Sequence, residues 1–367
     1  DGMSRERYST AACWYKILPV GVVCPKDASD VQAVVRYCFQ NDIPLIPRGA
    51  ATGMAGQAVG LGIILDLTRH MNRIKAADHD TVLCEPGVVL AQLNESLRQN
   101  GQYFPIDPAS HALCTIGGIV ATNAAGSHGI KYGSTKDYLE ELTVVLSNGE
   151  ITTIGAQSIP NPSQPPFFAG MVRALDPLLQ SKKGLIRKHF PIVAKNSSGY
   201  NLKDAVQLTP TDFRKIIAGS EGTLAVVTEA KLKIASPPAG RAGALAYFST
   251  YEKTVDAVML GLEIEPAAIE ILDHTYVTLA KGLGSETDAL IEDRAKAMLY
   301  FEFEGNIPEM LQRNIMRLNR SISLCSPIRF LPLTSESELN NIWRLREEAS
   351  RVMNFVKSNG KTTFVED

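Results

Sequence analysis

The glycine-rich segment Pro47–Gln57 constrains the fold of this chain more than any other feature. It follows a short apolar run at 43–46, and its glycines at 49, 53 and 56 are joined by a fourth at 60. Glycine tolerates positive φ and lets the backbone approach a ligand closely, so the N–H groups of such a loop can face phosphate oxygens. The segment therefore predicts a loop that cradles a phosphate-bearing ligand, with an exposed loop of no function as the alternative.

The two most familiar phosphate loops do not match this spacing. A Walker loop ends in Gly-Lys followed by Ser or Thr, and no lysine follows these glycines. A Rossmann loop has the pattern Gly-x-Gly-x-x-Gly and opens a helix. Here the spacing is four, three and four, and the residues at 62–67 are typical of a strand. The sequence therefore indicates a different kind of phosphate loop.

Length, charge and cysteine usage limit the class of protein. A chain of 367 residues exceeds what one hydrophobic core usually serves and indicates two domains. A net charge of −2 without a basic block argues against a nucleic-acid surface, and no apolar run reaches the ~18 residues of a membrane helix. Six cysteines without a Cys-x-x-Cys pair, and six histidines without metal-ligand spacing, indicate buried thiols, no metal site and a cytoplasmic location. Peripheral association with a membrane stays open.

Apolar periodicity divides the chain at a linker over 236–240. The first domain, 1–236, has strands predicted at 20–25, 45–46, 62–67, 81–85, 142–146 and 151–154, and helices at 29–41, 89–100 and 175–190. Asn148-Gly149 predicts a hairpin with a two-residue primed turn. In the second domain, 241–367, strands at 243–248, 268–272, 298–303 and 328–332 alternate with helices at 251–263, 307–320 and 336–356. That order predicts a sheet covered on one side by helices.

Further segments rich in small residues recur between the strands of the first domain. They are Pro105–Ser110, Cys114–Gly118 with Ala121–Gly126, Lys131–Thr135, and Gly219–Leu224, which leads into an apolar stretch at 225–230. A charged groove would instead be rich in Lys and Arg. So much accessible backbone suits a long, flat, phosphate-bearing ligand that lies against several loops.

These segments together resemble the FAD-binding (PCMH-type) domain of the vanillyl-alcohol-oxidase superfamily. Within it, the chain is most similar to the D-2-hydroxy-acid dehydrogenase and glycolate-oxidase-subunit branch, over nearly its whole length. Gly56-Gln57-Ala58, Arg69–Ile74, Tyr8-Ser9 and Trp14-Tyr15 are similar to the bacterial flavoproteins that fuse this unit to a C-terminal iron–sulfur region. The resemblance implies an α+β fold, with a two-subdomain FAD-binding domain over 1–236 followed by a ferredoxin-like substrate (cap) domain over 241–367.

The resemblance also implies which residues hold FAD. The first loop would wrap the pyrophosphate, Asp107–Ala109 would line the cofactor, the segments between 115 and 133 would follow the ribityl chain and phosphates, and the loop at 221–228 would hold the adenine side. The implied residues are Pro47, Arg48, Gly49, Ala50, Ala51, Thr52, Gly53, Met54, Gln57, Asp107, Pro108, Ala109, Thr115, Ile116, Gly117, Gly118, Thr122, Asn123, Ala124, Gly126, Ser127, Tyr132, Gly133, Glu221, Gly222, Val226, Val227 and Thr228.

The mode of flavin attachment follows from two alanines. Covalent members of the superfamily link flavin through a histidine in the first glycine loop, where this chain has Ala50 and Ala51. We therefore expect non-covalent FAD. His128 lies in the second cofactor segment, and we expect it to make a local hydrogen bond.

On the substrate side, the sequence Trp343-Arg344-Leu345-Arg346-Glu347 resembles the helix whose arginine binds the substrate carboxylate. Arg346 matches that arginine, with Ser350 one turn further on; a solvated arginine paired with Glu347 or Glu348 is the alternative. Lys195 and Tyr200 are candidates to face the pocket from a family segment near the flavin.

The resemblance is incomplete at the C-terminus. Relatives place metal-binding histidines and a catalytic acid or base downstream of residue 367, and none of the six histidines here matches those positions. Val365–Asp367 stands where some relatives have a lysine. We therefore expect a chain that continues in the natural protein, and an iron–sulfur cluster only in that further region.

The expected activity is FAD-dependent oxidation of a D-2-hydroxy acid to the 2-oxo acid by hydride transfer to flavin N5. D-Lactate, D-2-hydroxyglutarate and glycolate are the candidate substrates, and the expected partner is an electron acceptor such as an iron–sulfur domain or subunit. Two alternatives stay open: a non-catalytic flavin-binding subunit or fragment, and an oxidase or reductase with another substrate on the same scaffold.

Overall fold

The computed structural model describes residues 2–156, 164–193, 195–279 and 288–353. The expectation for Val365–Asp367 therefore lies outside the described residues. The chain divides into two compact units. Among the described residues, unit 1 comprises those up to Ala125 and Ser134–Ser236, and unit 2 comprises Gly126–Gly133 and those from Pro237 onward. The short segment Gly126–Gly133, called the excursion below, thus interrupts unit 1 in sequence while packing with unit 2.

Unit 1 begins with a small parallel sheet. Its elements are α1 (Gly2–Arg7), β1 (Gly21–Val23), α2 (Ala28–Gln40), β2 (Leu45–Arg48) and β3 (Ile63–Asp66), and the strand order is β1-β3-β2. Helix α2 starts at Asp27, whose carboxylate accepts hydrogen bonds from the backbone N–H groups of Ser29 and Asp30. The helix buries Val31 and Val35, which pack with Leu65 of β3. The first glycine loop leaves the carboxyl end of β2 and returns to the sheet at β3.

The second sheet of unit 1 is antiparallel and carries the larger core. The next elements are β4 (Ile74–Ala77), β5 (Thr81–Cys84), α3 (Leu90–Arg98), α4 (Ile116–Thr122), α5 (Gly129–Tyr132, in the excursion), β6 (Leu139–Leu146), β7 (Ile151–Ile154), α6 (Pro166–Ser181), α7 (Lys183–His189), α8 (Leu202–Ala205), α9 (Phe213–Ile217) and β8 (Ala225–Lys233). The strand order is β4-β5-β8-β6-β7. Helices α3 and α4 pack their apolar residues on one face of this sheet.

Two local expectations differ from the structure. The hairpin between β6 and β7 has positive φ only at Gly149, because Asn148 keeps a negative φ. Its turn is therefore not of the primed type that needs positive φ at both residues. The helix expected over 175–190 is two helices, α6 and α7, and α6 begins nine residues earlier at Pro166, which occupies a first-turn position where its missing N–H is no loss.

Unit 2 is a four-stranded antiparallel sheet with helices. Its elements after the excursion are β9 (Gly240–Phe248), α10 (Tyr251–Leu262), β10 (Ala268–Asp273), α11 (His274–Leu279), β11 (Ala297–Gly305), α12 (Pro308–Ile322), β12 (Arg329–Leu333) and α13 (Glu336–Met353). The strand order β10-β11-β9-β12 is that of a ferredoxin-like fold, so the predicted α+β class is confirmed. No helix in the described part of the chain is long and apolar enough to cross a membrane.

The prediction that helices cover one side of this sheet was wrong. Leu299, Phe301 and Phe303 of β11 pack with α12 on one face. Tyr300 of the same strand packs on the opposite face with Ile342 of α13. Strands buried on both faces are continuously apolar instead of alternating, so their sequence does not reveal how many helical layers they meet.

A buried carboxylate in unit 1 gives a pH-dependent prediction. Glu85 follows β5, is 2% exposed, and accepts hydrogen bonds from the backbone N–H and the guanidinium of Arg73. Burial alone would raise the pKa of Glu85, but the hydrogen bonds and charge of Arg73, with Lys75, lower it below its ordinary value. A lowered pKa stabilises the fold above the ordinary carboxyl range, and this stability is lost as the pH falls.

We expect Glu85→Gln to destabilise unit 1 by about 1.5–3 kcal/mol at pH 7, because charge-assisted hydrogen bonds are lost. The difference from wild type should shrink as the pH falls from 7 to 3. Urea unfolding at several pH values measures both effects. A difference that stays constant over this range would show that the charge of Glu85 contributes nothing.

Candidate functional site

The first glycine loop lines a cavity that lies wholly within unit 1. The cavity has a volume of about 270 Å³, near the lower end of the range for small-molecule sites. A second cavity of about 350 Å³ shares four wall residues with it: Gln57, Thr122, Ser220 and Glu221. The two cavities therefore form one elongated site, as a long ligand requires.

The predicted cofactor residues fall into three groups. Those that line the first cavity are Pro47, Arg48, Gly49, Ala50, Ala51, Thr52, Gly53, Gln57, Pro108, Thr115, Gly117, Gly118, Thr122, Asn123, Ala124, Glu221, Gly222 and Val227. Those in unit 1 that line neither cavity are Met54, Asp107, Ala109, Ile116, Val226 and Thr228. Gly126, Ser127, Tyr132 and Gly133 belong to the excursion in unit 2.

Strand geometry explains why Val227 lines the cavity although Val226 and Thr228 do not. Val227 lines the cavity, whereas its neighbour Val226 packs in the core between α2 and β3. The hydroxyl of Thr228 donates to the backbone oxygen of Thr143, 3.1 Å away on β6. Successive strand residues face opposite sides, so a run of three consecutive residues cannot line the same wall.

Several wall residues were missed by sequence reasoning. They are Ala58, Leu67, Pro86, Ser110, Cys114, Ile119, Ala121, Ala125, Ile217, Ser220 and Ala225. Five of them (Ser110, Cys114, Ala121, Ala125 and Ser220) lie inside segments already recognised but were not singled out as cofactor residues. Ala58, Ile119 and Ala225 stand directly beside such a segment. Ile217 of α9 is different, because nothing in its local sequence points to a ligand.

Close backbone contacts shape the cavity at two glycines. A Cβ on Gly49 would lie 2.4 Å from the hydroxyl oxygen of Thr115, so glycine lets the first loop lie against the start of α4 while Thr115 keeps its position. Gly222 adopts φ +75° beside Pro47, a conformation that other residues rarely accept. Replacing Gly49 or Gly222 with a larger residue would therefore change the shape of the cavity wall.

Arg48 holds the first loop to the N-terminal segment. Its guanidinium donates to the backbone oxygens of Tyr8 (3.1 Å), Thr10 (2.9 Å) and Ala58 (3.1 Å), and lies 5.1 Å from the centre of the Tyr8 ring. The Tyr8 hydroxyl in turn donates to Asp66. Burial lowers the pKa of Arg48 from its ordinary value. This side chain thus positions the loop from behind through three carbonyl groups.

Two buried polar atoms in the cavity wall have no hydrogen-bond partner among the residues that the structure describes. They are the Oε1 atom of Gln57 and the Oγ1 atom of Thr115, the residue that faces Gly49. Buried polar atoms without partners are rare, and each calls for a ligand or water. Together with the wall of glycines, alanines and small hydroxyls, they fit an elongated phosphate-bearing cofactor such as FAD.

The cavity wall offers no evident group for covalent attachment. Ala50 and Ala51 face it, and no histidine is among the residues that line it in the described part of the chain. Cys114 also lines it, but burial raises the pKa of this thiol to about 11. The thiol is therefore protonated at neutral pH and a poor nucleophile.

The predicted substrate-side residues lie in separate places. Lys195 is exposed and lines the first cavity, and Tyr200 lines the second, its hydroxyl 2.9 Å from that of Thr223. Arg346 lies on α13 in unit 2, where its Nε donates to Glu270 of β10 over 2.9 Å. The alternative pairing of Arg346 with Glu347 or Glu348 falls on side chains that, like that of Ser350, lie outside the described residues.

His128 makes contacts that its sequence neighbourhood does not suggest. Its Nε2 lies 3.1 Å from Glu302 on β11, and Lys131 and Tyr132 of the excursion bind Glu304 of the same strand. The bond was expected to be local, yet its two partners are 174 residues apart. Only the folded chain brings these residues together.

Two family models match the chain in sequence order. The model for the FAD binding domain matches residues 19–155, and the model for the C-terminal domain of FAD linked oxidases matches residues 237–367. The FAD-binding domain supports FAD as the cofactor, which agrees with the cavity described above.

Relatives match at modest identity. The chain is 26% identical to the glycolate oxidase subunit GlcD of Bacillus subtilis (96% of this chain, 65% of the relative). It is 30% identical to a D-2-hydroxyglutarate dehydrogenase of Escherichia coli (76% and 28%) and 29% identical to a D-lactate dehydrogenase of Anaerostipes hadrus (91% and 62%). The chain thus spans between about a quarter and two thirds of the length of these proteins.

A solved structure supports the fold. Alkyldihydroxyacetonephosphate synthase superposes with a TM-score of 0.64 at 19% identity, covering 91% of this chain and 55% of the synthase. With both domain models matched in order, and with the predicted resemblance confirmed, the chain belongs to the FAD-linked oxidase family of PCMH-type flavoproteins.

Proposed function

We propose that this chain is the flavin- and substrate-binding part of an FAD-dependent dehydrogenase that oxidises a D-2-hydroxy acid to the 2-oxo acid. The observation that carries the proposal is the elongated cavity in unit 1, with its two unpartnered polar atoms, in a chain that matches both FAD-linked oxidase domains. Relatives named for glycolate, D-2-hydroxyglutarate and D-lactate indicate the substrate class.

The residues of unit 1 bind and orient the cofactor. When bound, FAD would supply the acceptor for the hydride that leaves C2 of the hydroxy acid, and the hydroxyl proton would pass to a general base, which the resemblance places beyond residue 367. The first loop, held by Arg48, presents backbone N–H groups, while Gln57 and Thr115 contribute the two unpartnered polar atoms. Because no histidine lines the cavity among the described residues, and Ala50 and Ala51 face it, we propose that FAD is held without a covalent bond. Acid precipitation should therefore release all of the yellow chromophore into the supernatant, and flavin that stays in the pellet would contradict non-covalent binding.

Arg346 is the proposed partner of the substrate carboxylate. A guanidinium can bind a carboxylate through two parallel N–H groups, which also fixes the orientation of the substrate. Glu270 holds the Nε of Arg346 at 2.9 Å and so limits the rotation of the side chain. From unit 1, Lys195 and Tyr200 are proposed to contact the ligand at its reacting end. Electrons then pass to an acceptor other than oxygen, which we propose is an iron–sulfur domain or subunit.

Stopped-flow reduction of the bound flavin tests the activity. D-Lactate, D-2-hydroxyglutarate and glycolate are each mixed with the full-length protein under nitrogen, and at least one should bleach the flavin band. Arg346→Met should lower the apparent affinity for that substrate by about 100-fold, as expected when a charge pair with the substrate of about 3 kcal/mol is lost. Arg344→Met on the same helix is the matched control, since Arg344 is exposed.

The outcomes separate the candidate functions. If no hydroxy acid reduces the flavin while FAD stays bound, the chain is a non-catalytic flavin-binding subunit. If air alone rapidly reoxidises the flavin, or if NADPH reduces it, the protein is an oxidase or reductase with another substrate. Equal loss of affinity in the Arg344 and Arg346 variants would remove the role of Arg346.

A further inference from the structure

The excursion brings a histidine against two glutamates within unit 2. The chain leaves unit 1 after Ala125 and returns at Ser134, and these two residues are joined by an antiparallel bridge at the base of the excursion. The single-turn helix α5 lies at its tip, next to His128. Glu302 and Glu304 lie on the same face of β11, since residues two apart on a strand point the same way.

Three potential ligand atoms point at one another. His128 Nε2 lies 3.1 Å from Glu302 Oε1 and 3.8 Å from Glu304 Oε1. The three groups offer ligand atoms that all lie within 4.8 Å of one another, and they form the one such trio among the described residues. Ligands 2.0–2.2 Å from a tetrahedral zinc ion are separated by roughly 3.3–3.6 Å. The observed distances bracket that spacing, so a small adjustment would admit an ion.

The second oxygen of each carboxylate is held by other donors. Glu302 Oε2 accepts hydrogen bonds from the Tyr300 hydroxyl and from Trp343 Nε1 (2.9 Å). Glu304 Oε2 accepts from Lys131 (3.0 Å) and from the Tyr132 hydroxyl (2.6 Å). Donors of this kind orient carboxylate ligands and hold them ready in metal sites. The two Oε1 atoms and the imidazole are therefore fixed in orientation before any ion arrives.

Because His128, Glu302 and Glu304 are buried, a cation bound among them would be attracted strongly by the two carboxylates. Glu302 is completely buried, and the side chains of Glu304 and His128 are only 8% and 13% exposed. Around these carboxylates, Coulomb interactions are stronger than at a solvated surface because the local dielectric is lower. A mixed set of one imidazole and two carboxylates suits a borderline divalent ion such as Zn²⁺.

We propose that His128, Glu302 and Glu304 form a binding site for one divalent transition-metal ion, which pins the excursion to β11. This site goes beyond the proposed oxidation, because it lies in unit 2 and assigns the ion no part in the reaction. The pattern is invisible in the sequence, since the ligands come from segments more than 170 residues apart.

Two nearby cations limit the expected affinity. Lys131 lies 3.0 Å from Glu304, and Arg241 lies 3.8 Å from Glu302 while also reaching Glu336 and Asn340. Both weaken the attraction of the carboxylates for a further cation. We therefore expect micromolar affinity, below that of sites with three uncompensated ligands. The competing explanation is a plain ion-pair network in which His128 carries a proton.

Zinc titration of the purified, flavin-loaded protein distinguishes a metal site from an ion-pair network. After chelator treatment and dialysis, ZnCl₂ is added in competition with a chromophoric chelator, and bound zinc is counted by mass spectrometry. We expect one ion per chain, with affinity reduced at least about tenfold in His128→Ala and in Glu304→Gln, since each loses one ligand (about 1.4 kcal/mol per tenfold). His79→Ala is the matched control, because His79 is exposed beside Asp80 in unit 1.

A variant that is expected to bind zinc more tightly provides a test that misfolding cannot imitate, because a misfolded protein would bind zinc less tightly. Lys131→Met removes a cation that competes with the metal but leaves all three ligands and the Tyr132 hydroxyl, which still orients Glu304, so zinc should bind several-fold more tightly than in wild type. Weaker binding in this variant would contradict the site. So would the absence of zinc binding tighter than about 100 µM, or equal binding in wild type, His128→Ala and Glu304→Gln. Flavin reduction by hydroxy acids is measured separately, so failure of the metal site and failure of the proposed oxidation are distinguishable.

Discussion

Replacing Gly49 with alanine is expected to weaken FAD binding by about 10- to 100-fold, the equivalent of the 1–3 kcal/mol that overpacking usually removes. The added Cβ would lie 2.4 Å from Thr115 Oγ1 and 3.7 Å from the backbone of Gly118. Relief requires the first loop to move away from α4, which displaces backbone N–H groups from the ligand. Fluorescence titration of the apoprotein with FAD measures the dissociation constant directly.

A second substitution tests the stated cause. Because the clash is with the hydroxyl of Thr115, Gly49→Ala combined with Thr115→Ala should recover part of the lost affinity relative to Gly49→Ala alone. The matched control is Gly170→Ala in α6, where a Cβ meets no atom within 4 Å. That control should leave FAD affinity unchanged and stabilise the helix by about 0.5–1 kcal/mol. If Gly49→Ala binds FAD as wild type does, the close contact has no role in the site.

Removing the carboxylate of Asp212 is expected to destabilise unit 1 by about 3–5 kcal/mol, because a buried guanidinium would lose its counter-charge. Arg214 donates to both oxygens of Asp212 (2.9 and 2.8 Å) and to the backbone oxygens of Leu139 and Glu140 at the start of β6. The two side chains are only 2% and 8% exposed. Urea unfolding of Asp212→Ala, followed by far-ultraviolet circular dichroism, gives the change in free energy.

The same pair offers a sharper comparison. If the loss comes from an uncompensated charge, the double variant Asp212→Leu with Arg214→Met should be clearly more stable than Asp212→Ala, since it removes both charges and fills the space. Asp80→Ala is the control, because Asp80 is exposed and should change stability by less than about 0.5 kcal/mol. Equal destabilisation by the single and double variants would show that an uncompensated charge on Arg214 is not the cause of the loss in Asp212→Ala.

Local patterns predicted most of the elements of this fold. Helix α12 was expected over 307–320 and spans Pro308–Ile322, because Leu311, Ile315, Leu318 and Ile322 recur at helical spacing and all face the core. The glycine loop was recognisable because its small residues follow a strand and lack the lysine of a Walker loop. Both features can be predicted from the residues of one short segment, without knowledge of its distant neighbours.

Features set by distant packing were harder to predict. Strand β4 (Ile74–Ala77) was missed because this edge strand exposes three of its four residues and so lacks an apolar pattern. The second helical layer on unit 2 was missed because β9 and β11 are buried on both faces. Within the candidate site, Ile217 became visible only once α9 had packed against the cavity. In each case the deciding neighbours lie far away in sequence.

The excursion has a consequence for how genes of this kind can be cut and recombined. A break at the linker after Ser236 looks natural in the sequence, yet it would separate Glu302 and Glu304 from His128, Lys131 and Tyr132. A C-terminal fragment expressed alone would then carry Glu304 without its two donors. An exchange of C-terminal segments between relatives would combine the excursion of one protein with the β11 strand of another. The second unit is therefore encoded in two separate pieces, and the eight residues of the excursion must be kept together with β11 when such genes are recombined.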